Sequence, residues 1–239
     1  DLFDQQGEVI RTKFTFPTDT GSNKYLSNMD SFTSFYPIVP YQVDLYQKCL
    51  ISLSNHGAFV GNYASLGARS MLGVFQSALV SIKDSETGNF VPFDLFFEGT
   101  RALLKAQPYH TISQYESNGE DEFNVRLLKV LYLLKYVNEF PVTVKNIAVL
   151  LTGNSDDKRD ELESKIDKAL NQMVRYSIVQ EVNGLYEYQT DLQQDVVKGI
   201  KATELQQGAT RSYIADLFFT DTLVKKNILK LKHNRTGLD

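Results

Sequence analysis

Asn183-Gly184 stands between Ile178-Val179-Gln180-Glu181-Val182 and Leu185-Tyr186-Glu187-Tyr188, and no other feature narrows the folding options of this chain as much. Two such runs joined by Asn-Gly specify a β-hairpin, because both turn positions need positive φ and these residues tolerate it. Three helices are legible upstream. Phe123 to Tyr136 holds Val125, Leu127, Leu128, Val130, Leu131, Leu133 and Leu134. It is apolar on nearly every side, which predicts a central helix. Phe140-Pro141-Val142 breaks it, and Thr143 is a candidate N-cap for a short helix that runs to Leu151 and stops at Gly153. After the turn Asn154 to Asp157, a long helix spans Lys158 to Arg175 with Leu162, Ile166, Ala169, Leu170 and Met173 as its buried stripe. Helix, short helix, turn, long helix, hairpin is the order of a winged helix-turn-helix, placed over residues 120–190.

The rest of the chain also reads as mainly α. Residues 1–36 are rich in Asp, Ser, Thr, Asn and Gly and predict an irregular or extended segment, with an imperfectly alternating strand from Glu8 to Phe16 and a loop from Pro17 to Met29. Phe35-Tyr36-Pro37-Ile38-Val39-Pro40 should be extended. A helix follows from Tyr41 to Ser54, with Val43, Tyr46, Leu50 and Leu53 at helical spacing and Gly57 as its stop. Gly61 to Gly67 is a small-residue loop. The next helix, Ala68 to Ile82, presents Met71, Leu72, Phe75, Leu79 and Ile82, and a shorter one opens at Val91-Pro92-Phe93 and runs to Leu104. Residues 37–110 thus form a helical segment. The polar stretch His110 to Gly119 reads as a mobile linker and as the domain boundary. Residues 191–239 read as a helical extension, with helices from Leu192 to Leu205 and from Arg211 to Phe219, ending in a basic tail.

Composition bounds the function. With 42% hydrophobic residues in 239 the chain can build a core, and a net charge of −4 argues against indiscriminate binding to nucleic acid or anionic membranes. No apolar run approaches the roughly 20 residues of a membrane span. The one cysteine, Cys49, has no partner for an internal disulfide, which fits a reducing, cytoplasmic setting, and it reads as a buried structural thiol. The opening Asp1-Leu2-Phe3-Asp4, without methionine or a leader pattern, predicts an internal segment of a longer protein.

Catalytic signatures are missing. His56, His110 and His233 lie in different segments with no ligand at i, i+4, so no metal site is expected. No phosphate loop of the G-x-x-x-x-G-K-[ST] type occurs. Acidic groups such as Glu120-Asp121-Glu122 and Asp156-Asp157 fall at helix starts, where the helix dipole favours them. No catalytic residue is therefore proposed.

Three phrases carry a resemblance. Ser65-Leu66-Gly67-Ala68-Arg69-Ser70-Met71-Leu72-Gly73-Val74-Phe75-Gln76, Phe35-Tyr36-Pro37-Ile38-Val39-Pro40-Tyr41-Gln42 and Leu127-Leu128-Lys129-Val130-Leu131-Tyr132-Leu133-Leu134-Lys135-Tyr136 are similar to segments of the P-loop ATPases (BrxC family) of bacteriophage-exclusion (BREX) defence systems. The resemblance samples residues 35–150. It implies an internal fragment of an AAA+-like ATPase that works with other BREX proteins against phage DNA. Residues 37–110 would then be the helical lid of that ATPase. ATP would be bound mainly by residues outside this chain, so the fragment alone should not hydrolyse it. Within this frame Arg69 is the candidate nucleotide sensor. An arginine in the first turn of a lid helix can reach terminal phosphates, and guanidinium binds them through paired hydrogen bonds. A salt-bridged or solvent-facing arginine is the ordinary alternative.

Charge decides between partners for the winged helix. Asp156 to Arg175 holds five basic residues (Lys158, Arg159, Lys165, Lys168, Arg175) and six acidic ones (Asp156, Asp157, Asp160, Glu161, Glu163, Asp167), and the hairpin adds Glu181 and Glu187 without a base. This favours protein contact over DNA. If DNA is read, Lys165, Lys168 and Arg175, opposite the buried stripe, must carry it. The basic tail, Lys225, Lys226, Lys230, Lys232, His233 and Arg235, reads as a solvated end before a nucleic-acid contact. The expected function is a non-catalytic segment that couples nucleotide state to partner contact in a BREX-type ATPase. The alternative is a free-standing winged-helix DNA-binding regulator.

Overall fold

A computed structural model describes residues 2–17, 29–60, 68–154 and 156–202. Among these the chain is mainly helical, with ten α-helices and one two-stranded antiparallel hairpin. The helices are α1 (Leu2–Lys13), α2 (Met29–Phe35), α3 (Pro40–Asn55), α4 (Ala68–Ser81), α5 (Leu95–Arg101), α6 (His110–Ser117), α7 (Glu122–Leu134), α8 (Val144–Leu151), α9 (Arg159–Arg175) and α10 (Asp191–Ala202). The hairpin joins β1 (Val179–Val182) to β2 (Leu185–Tyr188). Residues Asp1–Asp195 make one compact unit and Val196–Asp239 a second, of which only the end of α10 lies among the described residues.

The helices and hairpin expected between 122 and 188 all form. Asp121 caps α7, its carboxylate accepting from Phe123 N, and Thr143 caps α8 by accepting from Asn146 N. α9 buries Ile166, Ala169, Leu170 and Met173, as its spacing predicts. Asn183 (φ 55°) and Gly184 (φ 78°) both take the left-handed turn conformation. α7 is the centre of the fold. Leu127, Leu128, Val130, Leu131, Leu133 and Leu134 are all buried, so α7 is covered on every side.

α3 also forms where expected. Pro40 sits in its first turn, where the missing N–H leaves no hydrogen bond unmade. Gln42 joins this start to a distant segment, its amide accepting from Val39 N and donating to Val91 O at 2.7 Å. Rings continue the link inward. Tyr46 of α3 and Phe75 of α4 pack on Phe96 of α5, Phe97 packs on Tyr132 of α7, and Tyr132 on Tyr188 of β2. α4 and α5 approach so closely that a Cβ on Gly99 would lie 2.9 Å from Val74.

Four expectations need correcting. The segment from Glu8 to Phe16 is not a strand: α1 takes it as far as Lys13 and a turn follows, because Ile10 and Phe14, four apart, are both buried and helical spacing outweighs the imperfect alternation. With α1 and α2, residues 1–36 are more helical than their polar composition suggests. Phe35 to Pro40 is not one extended run: Phe35 ends α2, a turn with a cis Tyr36–Pro37 peptide follows, and Val39 is extended where Pro40 opens α3. The polar stretch from His110 is not a linker: it forms α6, with Thr111 and Ile112 buried. In α4 the inward face is Val74 and Ala78, flanked by Met71, Phe75 and Ile82, whereas Leu72 is 68% exposed and Leu79 also faces outward. The loop Gly61 to Gly67, the helix from Arg211 and the basic tail lie outside the described residues. No helix among the described residues is long and apolar enough to cross a membrane.

Candidate functional site

α9 carries three of the residues singled out by sequence. Lys165, Lys168 and Arg175 are exposed, as their position opposite the buried stripe predicts. They do not make a basic face. Asp160, Glu161 and Asp167 are exposed on the same helix, three acids against three bases. Lys165 also has local company, with its Nζ 4.1 Å from the centre of the Phe123 ring.

A helix that reads DNA enters the groove with its N-terminal residues. Here that end of α9 is held from two sides. The α4–α5 connection runs along the turn before it: Phe90 N donates to Gly153 O at 2.8 Å, Phe93 N to Leu150 O at 2.8 Å, and Asn154 Nδ2 to Asn89 Oδ1 at 3.1 Å. From the other side, Lys13 at the end of α1 donates its ammonium to Asp157 O, and Arg159 donates to Lys13 O. Asp157 closes the turn internally, one carboxylate oxygen accepting from both Gly153 N and Asn154 N at 3.0 Å.

The seam between α5 and α7 is ionic, and sequence reasoning missed it. Asp94, buried at the start of α5, receives Arg126 of α7 through two hydrogen bonds, Nε to Oδ2 at 3.0 Å and Nη2 to Oδ1 at 3.1 Å. Burial opposes the charged guanidinium, but Asp94 overrides it and raises the Arg126 pKa. One turn further along both helices, Lys129 bridges Glu98 (2.6 Å) and Glu116 (2.8 Å), and Arg101 pairs with the same two carboxylates. Two cations and two anions alternate there, so each charge has two opposite neighbours. A signal existed: Asp94 is the one charge in Phe90 to Phe97, and Arg126 interrupts the apolar run of α7. A charge in such a run must find a partner.

A third cluster holds the hairpin. Lys135, its side chain only 1% exposed, donates to Glu187 Oε1 at 2.8 Å, to Tyr188 O and to Gln193 Oε1 at 2.9 Å. α7, β2 and the start of α10 therefore meet at one ammonium. Nearby, Asp191 receives Thr111 Oγ1 at 2.8 Å and lies 3.0 Å from His110 Nδ1.

Arg69 falls in the first turn of α4, but its side chain lies outside the described residues. A groove of about 610 Å³ lies between the α4–α5 connection and α9. It does not suit a nucleoside triphosphate. Arg126 is already engaged by Asp94, and Glu122, Asp157 and Glu161 share the lining with Lys158 and Lys165. Among the described residues no three His, Cys, Asp or Glu side chains cluster as metal ligands. His56 stacks on Tyr136 at 3.9 Å, and His233 lies outside the described residues. Cys49 is fully buried, which pushes its thiol pKa far up and makes it inert. No protein-family model matches the chain, and no solved structure matches it.

Proposed function

We propose that this chain is a non-catalytic coupling segment of a BREX-type ATPase, in which a helical lid (α3–α5) and a winged helix (α7–α9 with β1–β2) move as one body and present a protein-contact surface. The seam carries this reading. Asp94–Arg126, the Glu98–Lys129–Glu116–Arg101 ring and the backbone bonds from residues 90 and 93 to 153 and 150 tie the two halves at their buried junction. A displacement of α4 and α5 is passed to α7 and α9 rather than absorbed, because packed, hydrogen-bonded elements shift as rigid bodies. The acids exposed beside the bases on α9, Asp160, Glu161 and Asp167, disfavour a free-standing regulator. Arg69, at the head of α4, remains the candidate nucleotide sensor, with ATP bound mainly by the rest of the parent ATPase and other BREX proteins as further partners.

The regulator reading keeps one observation in its favour, the exposure of Lys165, Lys168 and Arg175. Fluorescence anisotropy with a mixed-sequence duplex separates the two. The expected affinity at physiological salt is no tighter than the nonspecific range of about 10⁻⁴ to 10⁻⁶ M. Nanomolar, sequence-dependent binding lost on charge reversal of those three residues would promote the regulator. In the parent ATPase, Arg69→Ala should slow ATP turnover with the fold intact, and unchanged turnover removes Arg69 from the site.

A further inference from the structure

Asn-Gly occurs twice in the chain, at Asn118-Gly119 and at Asn183-Gly184. Asparagine is a chemically labile residue, and glycine puts no side chain in the way of its own nitrogen. That nitrogen can lose its proton and attack the asparagine Cγ. An N–C bond forms and closes a succinimide ring, the bond from Cγ to the side-chain nitrogen breaks, and ammonia leaves with the proton. Water then opens the ring. Scission between the nitrogen and Cγ restores the main chain and leaves aspartate. Scission between the nitrogen and the former main-chain carbonyl leaves isoaspartate, whose backbone runs through Cγ and is longer by one carbon. Water enters, ammonia departs, and nothing is oxidised or reduced.

The two pairs are alike in access. All four residues are exposed, and a Cβ added to either glycine would meet nothing within 4 Å, so packing shields neither nitrogen. They differ in what holds the N–H. Gly184 N donates to Glu181 Oε1 at 2.6 Å, a short bond to a carboxylate. A negative charge against that N–H opposes loss of its proton. The turn around it is fixed by the cross-strand pair Val182 and Leu185. Gly119 N has the Glu116 main-chain carbonyl at 3.3 Å, a neutral acceptor at long reach. The carboxylates beside it are turned elsewhere: Glu116 to Arg101 and Lys129, and Asp121 to Phe123 N. Asn118 is also the C-cap of α6, and a helix end opens at little cost.

We infer that Asn118 is a site of spontaneous modification, converted to aspartate and isoaspartate as the folded protein ages, and that Glu181 guards the same dipeptide at the hairpin tip. The conversion puts a new carboxylate in the α6–α7 connection, two residues from the Glu116 that Arg101 and Lys129 share. Isoaspartate also lengthens the backbone just ahead of Asp121, the cap of α7. The ionic seam between α5 and α7 is therefore the part of the fold that ageing touches, and the hairpin is spared.

Incubation of the whole chain at mildly alkaline pH, followed by peptide mass spectrometry that separates asparagine, aspartate and isoaspartate, reads both sites in one sample. In urea the two should convert at similar rates. In native buffer Asn118 should convert at least tenfold faster than Asn183. Glu181→Ala should speed Asn183 severalfold and leave Asn118 unchanged. Glu181→Gln should fall between the parent and Glu181→Ala, since the amide keeps an acceptor and loses the charge. Asn118 serves as the internal control, because a variant that merely loosens the fold speeds both sites together. An Asn118 that stays intact in native buffer, equal native rates at the two sites, an Asn183 rate indifferent to Glu181→Ala, or a parallel rise at both sites in that variant each overturns the proposal.

Discussion

Asp94 and Arg126 show most plainly what one residue does in this molecule. The Asp94 side chain is 4% exposed and that of Arg126 31%, so removing the carboxylate strands a guanidinium at a buried junction. Asp94→Ala is expected to cost about 3–4 kcal/mol, in the range found when one partner of a buried pair is deleted. Replacing both, Asp94→Leu with Arg126→Met, should cost much less than the two single changes added together, because no charge is left unpaired. Urea unfolding of the three variants reads this directly, and simple additivity would show that the pair does not act as a unit. The exposure of Lys165, Lys168 and Arg175 on α9 was legible because a buried stripe at 3.6-residue spacing defines its opposite face. The pair was not placed by sequence, since nothing in a linear reading says which of many carboxylates a distant arginine will meet.

At the scale of elements, local chemistry decided what could be read. α7, α8, α9 and the hairpin announce themselves through caps, stripes and the Asn-Gly turn, each a signal confined to a few neighbouring residues. α6 and the inward face of α4 depend on partners far away. Thr111 is buried because Asp191 and Gln194 reach it, and Leu72 is exposed because Val74 and Ala78 meet α5 instead. The hairpin offers a clean test. Gly184 sits at φ 78°, and a Cβ added there would meet nothing within 4 Å, so Gly184→Ala costs only backbone strain, about 1 kcal/mol. Asn183→Gly should be close to neutral by the same logic. Thermal denaturation checks both, and a loss near 3 kcal/mol at position 184 would mean that the turn bears on more than its own backbone.

For the molecule as a whole, stability should fall away at both ends of the pH scale. Burial favours the neutral form of Glu116, but Arg101 and Lys129 override it and hold its carboxyl below the usual range. A folded value below the unfolded one means stabilisation that is present above about pH 4.3 and lost as pH falls through the folded value. Glu116→Gln should make the acid limb of the unfolding curve shallower. Tyr46, Tyr132 and Tyr188 are pushed the other way, upward, by burial. Their contribution is complete below about pH 10 and disappears as pH climbs towards the folded values. Tyrosinate absorbance should therefore lag for part of the 13 tyrosines until far-UV circular dichroism collapses. Reversible titration of all of them near pH 10 with the helix signal intact would contradict the buried placement. The clasp between α1 and α9 bears on how the chain is made. Lys13 and Asp157 are 144 residues apart, so α1 leaves the ribosome long before the turn that receives it exists. At ordinary synthesis speeds that interval is on the order of ten seconds, during which α1 has only its own short helix to sustain it. α1 is thus made well before the turn it docks on and finds its place late.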